Sequence, residues 1–192
     1  YSDLISQGKA WILSRMLYQI NYYPSVNSIV TAKTWSQGAN GLFAYREYEL
    51  KNSIGETLAS GSSYWALIDF NTRHVVRLND IMDNYEHHSY SATGISELNK
   101  LHHSKELSPI HENVFKATYS TLDHTNHVNN SEYLRWICDS IPNPNKISTI
   151  EIDFLNETRL NDLVSVNQYS DNFIQIINPR GIAANAKLNF YD

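Results

Sequence analysis

One short segment gathers residues that could do chemistry. "LDHTNHVNNSEYLRW" places Asp123, Thr125, Asn126, His127, Asn129 and Asn130 in a loop that runs into a helix start. A carboxylate, a hydroxyl and an imidazole this close together can pass a proton or activate a water, and His titrates near the pH where such work is done. A helix start adds unpaired N–H groups and a partial positive charge, which can hold the oxyanion formed when a carbonyl is attacked. The same residues also spell an Asn-rich helix cap in which Asp and His make local turn bonds. The pattern alone leaves both readings open.

The elements that must position this loop are legible from periodicity. "SEYLRWICDSI" repeats apolar residues at Tyr133, Leu134, Ile137, Cys138 and Ile141, the spacing of one helix face. Asn130 or Ser131 can cap its start, and Pro142 stops it. A strand candidate, "VFKATYS", precedes the loop. Four follow the helix: "STIEIDFL", "DLVSVNQY", "NFIQIIN" and "IAANAKLNFY". The first half is β-rich as well. "SIVTAKTW" reads as a strand, Asn40-Gly41 as a hairpin turn, and "LFAYREYELK" alternates with Phe43, Tyr45, Glu47 and Glu49 on one face. "TLASGSSYWALIDF" is another strand candidate. Between Tyr85 and Asn113 the chain turns polar and aperiodic, which predicts a connection with a short helix around "SELNKL". One helix followed by an antiparallel meander is an α+β plan, that of a hotdog, although other α+β folds share the order.

A weak internal repeat links the halves. "NSIVTAKTW", "AYREYELK" and "GETLASGSSYW" parallel "NDLVSVNQY", "FIQIIN" and "GIAANAKLNFY". Aligning Asn27-Ser28-Ile29 with Asn161-Asp162-Leu163 sets Tyr23 against Glu157. Glu157 therefore has no acidic counterpart in the first half. A duplicated scaffold with one chemically equipped half predicts one active site per chain.

The loop and helix resemble those of the acyl-acyl carrier protein thioesterases, whose mark is an Asp-x-Asn-x-His-Val-Asn-Asn loop followed by a helix with Tyr-x-x-Trp and a Ser-x-Pro-like end. Here the segment reads "DHTNHVNNSEYLRWICDSIP". "AWILSRMLYQINYYP", "GANGLFAYREYEL" and "GETLASGSSYWALIDFNTRHVVRL" extend the resemblance over nearly the whole chain. It implies two tandem hotdog domains: residues 1–84 holding the acyl chain, a linker at 85–112, and a catalytic domain at 113–192. It places the family's loop acid on Asp123, its loop His on His127, and its Glu-Cys pair on Glu157-Thr158. Two positions depart from the pattern. Thr125 stands where the family has Asn, with Asn126 beside it, and Thr158 replaces the Cys. A thiolate mechanism through position 158 is thereby disfavoured. A general-base mechanism remains, with Glu157 or His127 activating water, Asp123 orienting, and Thr125, Asn126, Asn129, Asn130, Thr158 or helix N–H groups supporting the oxyanion. Members of the family begin with a strand and a long helix before the segment matching "YSDLISQGKAWIL", so the resemblance implies a first hotdog that is N-terminally incomplete.

Composition bounds the rest. A net charge of −5 argues against a nucleic-acid partner. No apolar run reaches the length of a membrane helix, and no targeting pattern is visible. The single Cys excludes an internal disulfide, and a cytoplasmic setting is expected. No metal or organic cofactor is expected. Cys138 reads as a buried structural thiol, and the pairs His87-His88 and His102-His103 as solvated linker. Trp11, Trp35, Trp65 and Tyr64 could line an acyl tunnel or form ordinary core, and Arg15 in an apolar run needs a partner. The expected partner is an acyl carrier protein, itself acidic, so docking calls for a local basic patch. Arg135, Lys146, Arg159 and Arg180 are the candidates. The expected activity is hydrolysis of the carrier-bound thioester, by a monomer or a homodimer. An acyl-CoA thioesterase and a non-catalytic acyl-binding module are the alternatives.

Overall fold

A computed structural model describes residues 4, 6–78, 86–103 and 107–191. The chain divides into two units, Tyr1–Leu98 and Asn99–Asp192.

In the first unit, β1 (Lys9–Ile20), β2 (Val30–Asn40), β3 (Phe43–Asn52) and β4 (Thr57–Asp69) form an antiparallel sheet in the order β2-β3-β4-β1. A short β5 (His74–Val75) adds to β4. Periodicity did not reveal β1, because its register against β4 shifts between Leu13 and Arg15 and interrupts the alternation. The β2–β3 turn is also one residue later than the Asn-Gly signal suggested. Asn40 pairs with Phe43, so Gly41 and Leu42 are the turn residues, and Gly41 carries the positive φ of 63°.

The two faces of this sheet have different covers. Cross-strand pairs put Trp35, Glu47, Ser62, Tyr45, Tyr64 and Arg15 on one face. Residues 90–98 lie over it. Tyr90 stacks on Trp35 with ring centroids 5.7 Å apart, and Leu98 packs with Leu17 and Tyr64. The buried Glu47 carboxylate accepts from Ala92 N at 2.6 Å, Ser62 Oγ at 2.9 Å and Ser91 Oγ at 3.3 Å, as a charge withdrawn from water requires. Trp11, Ala44, Trp65 and Leu67 occupy the opposite face, with Leu4, Val76 and Leu78. Trp11 and Trp65 therefore do not share a surface with Trp35 and Tyr64, and the four cannot line one tunnel. Arg15 finds its partners in the Leu98 carbonyl at 2.6 Å and the Phe43 ring.

The stretch expected as a linker is thus partly structural. Residues 86–98 carry apolar and polar groups that complete the first unit, and no helix forms at 96–101. His103 is only partly exposed. Its ring lies 3.9 Å from that of Tyr169 and 4.9 Å from that of Phe173.

In the second unit, β6 (His111–Lys116), β7 (Ile147–Phe154), β8 (Leu163–Gln168), β9 (Phe173–Asn178) and β10 (Gly181–Phe190) form an antiparallel sheet in the order β7-β10-β9-β8-β6. Helix α1 (Asn130–Ser140) buries Tyr133, Trp136 and Ile137, and Trp136 stacks on Phe115 of β6 at 6.0 Å. An antiparallel sheet with its helix packed this way fits a hotdog. Asn129, not Asn130 or Ser131, caps α1. Its extended backbone precedes the helix and its Oδ1 accepts from Ser131 N at 2.9 Å. Ile141 before Pro142 is extended and ends the helix.

The repeat seen in sequence has a backbone counterpart. In both units, three consecutive strands, β2-β3-β4 and β8-β9-β10, form a meander whose last strand pairs with the strand that precedes the meander, β1 and β7 respectively. Asn27 and Asn161, aligned by the repeat, both take positive φ, 65° and 69°. The following residues close equivalent turns, Ser28 N to Ser25 O and Asp162 N to Arg159 O, both at 3.1 Å. Tyr23 thus occupies in the first unit the loop position that Glu157 occupies in the second.

Candidate active site

The loop singled out by sequence is a tight hairpin loop. Asn126 N donates to Asp123 O at 3.1 Å, Asp123 N donates to His127 O at 2.8 Å, and Asn126 has φ of 62°. This is a three-residue loop whose last residue is left-handed, where Gly or Asn is least strained. The turns at Asn52–Glu56 and Tyr169–Phe173 have the same bonds, with Gly55 and Asn172 left-handed. Asn126 therefore serves the backbone.

Asp123 holds the loop from inside. Its Oδ1 accepts from Thr125 N at 2.8 Å, Thr125 Oγ1 at 2.6 Å and His127 N at 3.3 Å. Partial burial pushes this carboxyl up. The bonds from the Thr125 hydroxyl, the Thr125 N–H and the His127 N–H outweigh it and hold the group below its ordinary value. Asn52 makes the corresponding backbone bonds with its amide oxygen, from Ile54 N and Glu56 N. Asp123 is thus first a loop former, and the turn-bond reading of the segment holds for it. Its additional bond to Thr125 Oγ1 leads on to His127, whose Nδ1 lies 3.3 Å from that hydroxyl.

On the other side of the ring, His127 Nε2 lies 2.9 Å from Glu157 Oε2. Backbone pairing brings the two loops together. Val128 N donates to Thr158 O at 2.8 Å, and His127 and Arg159 form a bridge. The His127 and Glu157 side chains keep 40% and 37% of their accessible surface, so a substrate and a water can reach both. Asp123, Thr125, His127 and Glu157 thus form one hydrogen-bonded chain, which is a relay suited to taking and returning a proton.

The supporting candidates separate. Asn129 Oδ1 is committed to the helix cap, and Asn130 is the first residue of α1. Thr158 is fully buried, and its Oγ1 accepts from Tyr133 Oη at 2.8 Å and Asn178 Nδ2 at 3.0 Å.

Of the four basic candidates, two meet. Arg159 pairs with Glu157, and Arg180 with Asp162, whose Oδ2 also accepts from Arg159 N. The cluster is charge-balanced, so the expected basic patch is not made there. Arg135 pairs with Glu132 within α1, and Lys146 lies in the turn before β7. Cys138 stands on α1, its thiol pushed up by burial and by neighbouring Asp139, and it makes no part of the chain of bonds. Among the described residues no three His, Cys, Asp or Glu side chains converge as metal ligands. None of their helices is long and apolar enough to cross a membrane.

Sequence reasoning missed Tyr133, Asn178 and Asp162 as parts of the site. Tyr133 carried the apolar signal of the helix face, Asn178 stood where a strand candidate met a turn, and Asp162 opened a strand candidate, so nothing local marked them.

A sheet with one helix fits a hotdog, with an accessible carboxylate–imidazole pair at its loop edge, and comparison with known proteins gives the family. Residues 2–85 match the acyl-ACP thioesterase N-terminal domain and residues 104–184 the C-terminal domain. The chain belongs to the acyl-ACP thioesterase family. It is 26% identical over 167 residues to the chloroplastic oleoyl-acyl carrier protein thioesterase 2 of Arabidopsis thaliana, covering 80% of this chain and 46% of that protein. It is 27% identical over 157 residues to a chloroplastic palmitoyl-acyl carrier protein thioesterase of Cuphea hookeriana, covering 78% and 37%. The chain therefore spans about half or less of the length of the curated relatives it matches. The same fold is present in an acyl-ACP thioesterase of Bacteroides thetaiotaomicron (TM-score 0.84, 22% identity, 99% of this chain and 80% of that one). It is present too in the 12:0-ACP thioesterase of Umbellularia californica (TM-score 0.79, 17% identity, 98% and 78%).

Proposed function

We propose that this chain hydrolyses acyl thioesters carried on acyl carrier protein and releases the free fatty acid, which ends chain elongation. Its two units act as tandem hotdog domains, the first holding the acyl chain and the second supplying the catalytic groups. The observation that carries this reading is the accessible His127–Glu157 contact at 2.9 Å, made between two loops inside the segment that matches the family's C-terminal domain.

The chemistry needs a water, a base and an oxyanion support. The water oxygen attacks the thioester carbonyl carbon, and its proton passes to the His127–Glu157 pair. The tetrahedral oxyanion then collapses, the C–S bond breaks, and the carrier's sulfur leaves as a thiol with the proton returned from the pair. Asp123, through Thr125, keeps the imidazole turned toward Glu157.

The test is steady-state hydrolysis of a panel of medium- and long-chain acyl-carrier thioesters, with the same acyl groups on CoA beside them. Wild type should release acid faster from the carrier, and His127→Ala and Glu157→Ala, still folded, should lose about 100-fold or more. Preference for CoA would move the substrate to the acyl-CoA class. Binding without turnover would replace the enzyme reading with that of an acyl-binding module.

A further inference from the structure

Glu157 lies in the loop after β7, outside any helix or strand. A carboxylate in an irregular loop meets a distant imidazole at 2.9 Å only if something else fixes its backbone. Asn178 and Arg180, at the β9–β10 turn, fix it. The Glu157 carbonyl accepts from Asn178 Nδ2 at 2.8 Å and from Arg180 Nε at 3.2 Å. The next carbonyl, of Thr158, accepts from Val128 of the catalytic loop. Between these ties sits the buried Thr158 hydroxyl, which takes bonds from Tyr133 on α1 and from Asn178 at the end of β9.

We propose that Tyr133 and Asn178 are positioning residues for Glu157, Tyr133 acting through Thr158 and Asn178 through Thr158 and the Glu157 carbonyl; this rests on the hydrolase reading above.

Each member is itself held. The Tyr133 ring stands edge-on to Phe154 at 5.6 Å and beside Trp136 at 5.5 Å, so its hydroxyl is aimed by packing. Asn178 is buried and its Oδ1 accepts from Arg180 N at 2.8 Å, which fixes the amide plane and points both Nδ2 hydrogens at residues 157 and 158. Helix and strand thus converge on the buried Thr158 hydroxyl, and the catalytic loop on the Thr158 carbonyl, one residue from the carboxylate. The arrangement also accounts for a hydroxyl at position 158, since a hydroxyl oxygen accepts two directed bonds there. A reacting group displaced by about 1 Å loses on the order of 100-fold in rate, so support at this distance from the chemistry has consequences for turnover.

The experiment compares wild type, Glu157→Gln, Tyr133→Phe, Asn178→Ala, Thr158→Val and Thr158→Ser. It reads kcat and KM separately, the melting temperature, and the ring-nitrogen chemical shifts of His127 at fixed pH. Tyr133→Phe, Asn178→Ala and Thr158→Val should lose about tenfold or more in kcat with KM changed less than about threefold, as expected when a transition-state interaction alone is weakened. Their His127 shifts should move toward those of Glu157→Gln, while Thr158→Ser restores both. If wild type and Thr158→Ser are active, Glu157→Gln is not, and Tyr133→Phe and Thr158→Val keep full kcat with unmoved His127 shifts, the positioning role is wrong and the hydrolase reading survives. Lowered melting temperatures with unchanged kcat and His127 shifts overturn it in favour of a purely structural role. If wild type releases no acid from any thioester, both fall.

Discussion

Nε2 of His127 lies 2.9 Å from Oε2 of Glu157, and two loops rather than two regular elements make the contact. The other ring nitrogen lies 3.3 Å from Thr125 Oγ1, whose single proton is drawn to Asp123 at 2.6 Å. With that proton committed, Thr125 Oγ1 and the Glu157 carboxylate each face the ring as acceptors, one at each nitrogen.

A pair that works as a unit loses its function when either member goes. His127→Ala and Glu157→Gln should each lower kcat/KM by about 100-fold or more. The double variant should lose little beyond the worse single one, because effects within one catalytic unit do not add. Losses that multiply would show that the two residues act in separate steps.

Asn126 is left-handed at φ 62°. Asn126→Gly should keep the melting temperature and activity close to wild type, since Gly55 fills the equivalent place in the Asn52–Glu56 turn. Asn126→Val should destabilise by about 1–2 kcal/mol and lower turnover by disturbing His127. Calorimetry and kinetics on the two variants check this, and equal behaviour of Gly and Val would show that the left-handed backbone is not the constraint at position 126.

The Asp123 carboxyl is held below its ordinary value of 3.8 by its three hydrogen bonds. A carboxyl with a depressed folded-state value contributes stability above the unfolded value and loses it as pH falls through the folded one. Asp123→Asn keeps the acceptor, as Asn52 does, and removes the titration. The stability advantage of wild type over Asp123→Asn should therefore be constant at neutral pH and shrink as pH falls below about 3.8. Melting curves at a series of acid pH values test it, and an advantage that grows toward acid would contradict the assignment.

Cys138 is the chain's single cysteine. Burial and Asp139 raise its thiol, which lowers its reactivity near neutral pH. Turnover by this chain should resist iodoacetamide, and Cys138→Ala should keep kcat within about threefold of wild type, because a volume change of one sulfur on a half-buried helix face perturbs packing modestly. Rapid inactivation by the reagent with protection by substrate would reopen a thiol mechanism.

Part of the protein was already determined by its sequence. The 3.6-residue spacing from Tyr133 to Ile141 and the stop at Pro142 define α1, because helix formation responds to local periodicity and to the missing proline N–H. The alternation of β3 and the asparagines of the turns are equally local, as is the repeat that aligns Asn27 with Asn161. Asp123, Thr125 and His127 could be singled out because the hairpin loop that joins them closes within five residues. Tertiary structure decided the rest. β1 gave no clear alternation, since its register shift against β4 interrupts the pattern that periodicity reads. The pairing of His127 with Glu157, and the burial of the Thr158 hydroxyl between Tyr133 and Asn178, depend on backbone bonds between loops and strands far apart in the chain. Local propensity carries no information about such distances. They are set by strand register and by how aromatic rings on α1 pack against the sheet.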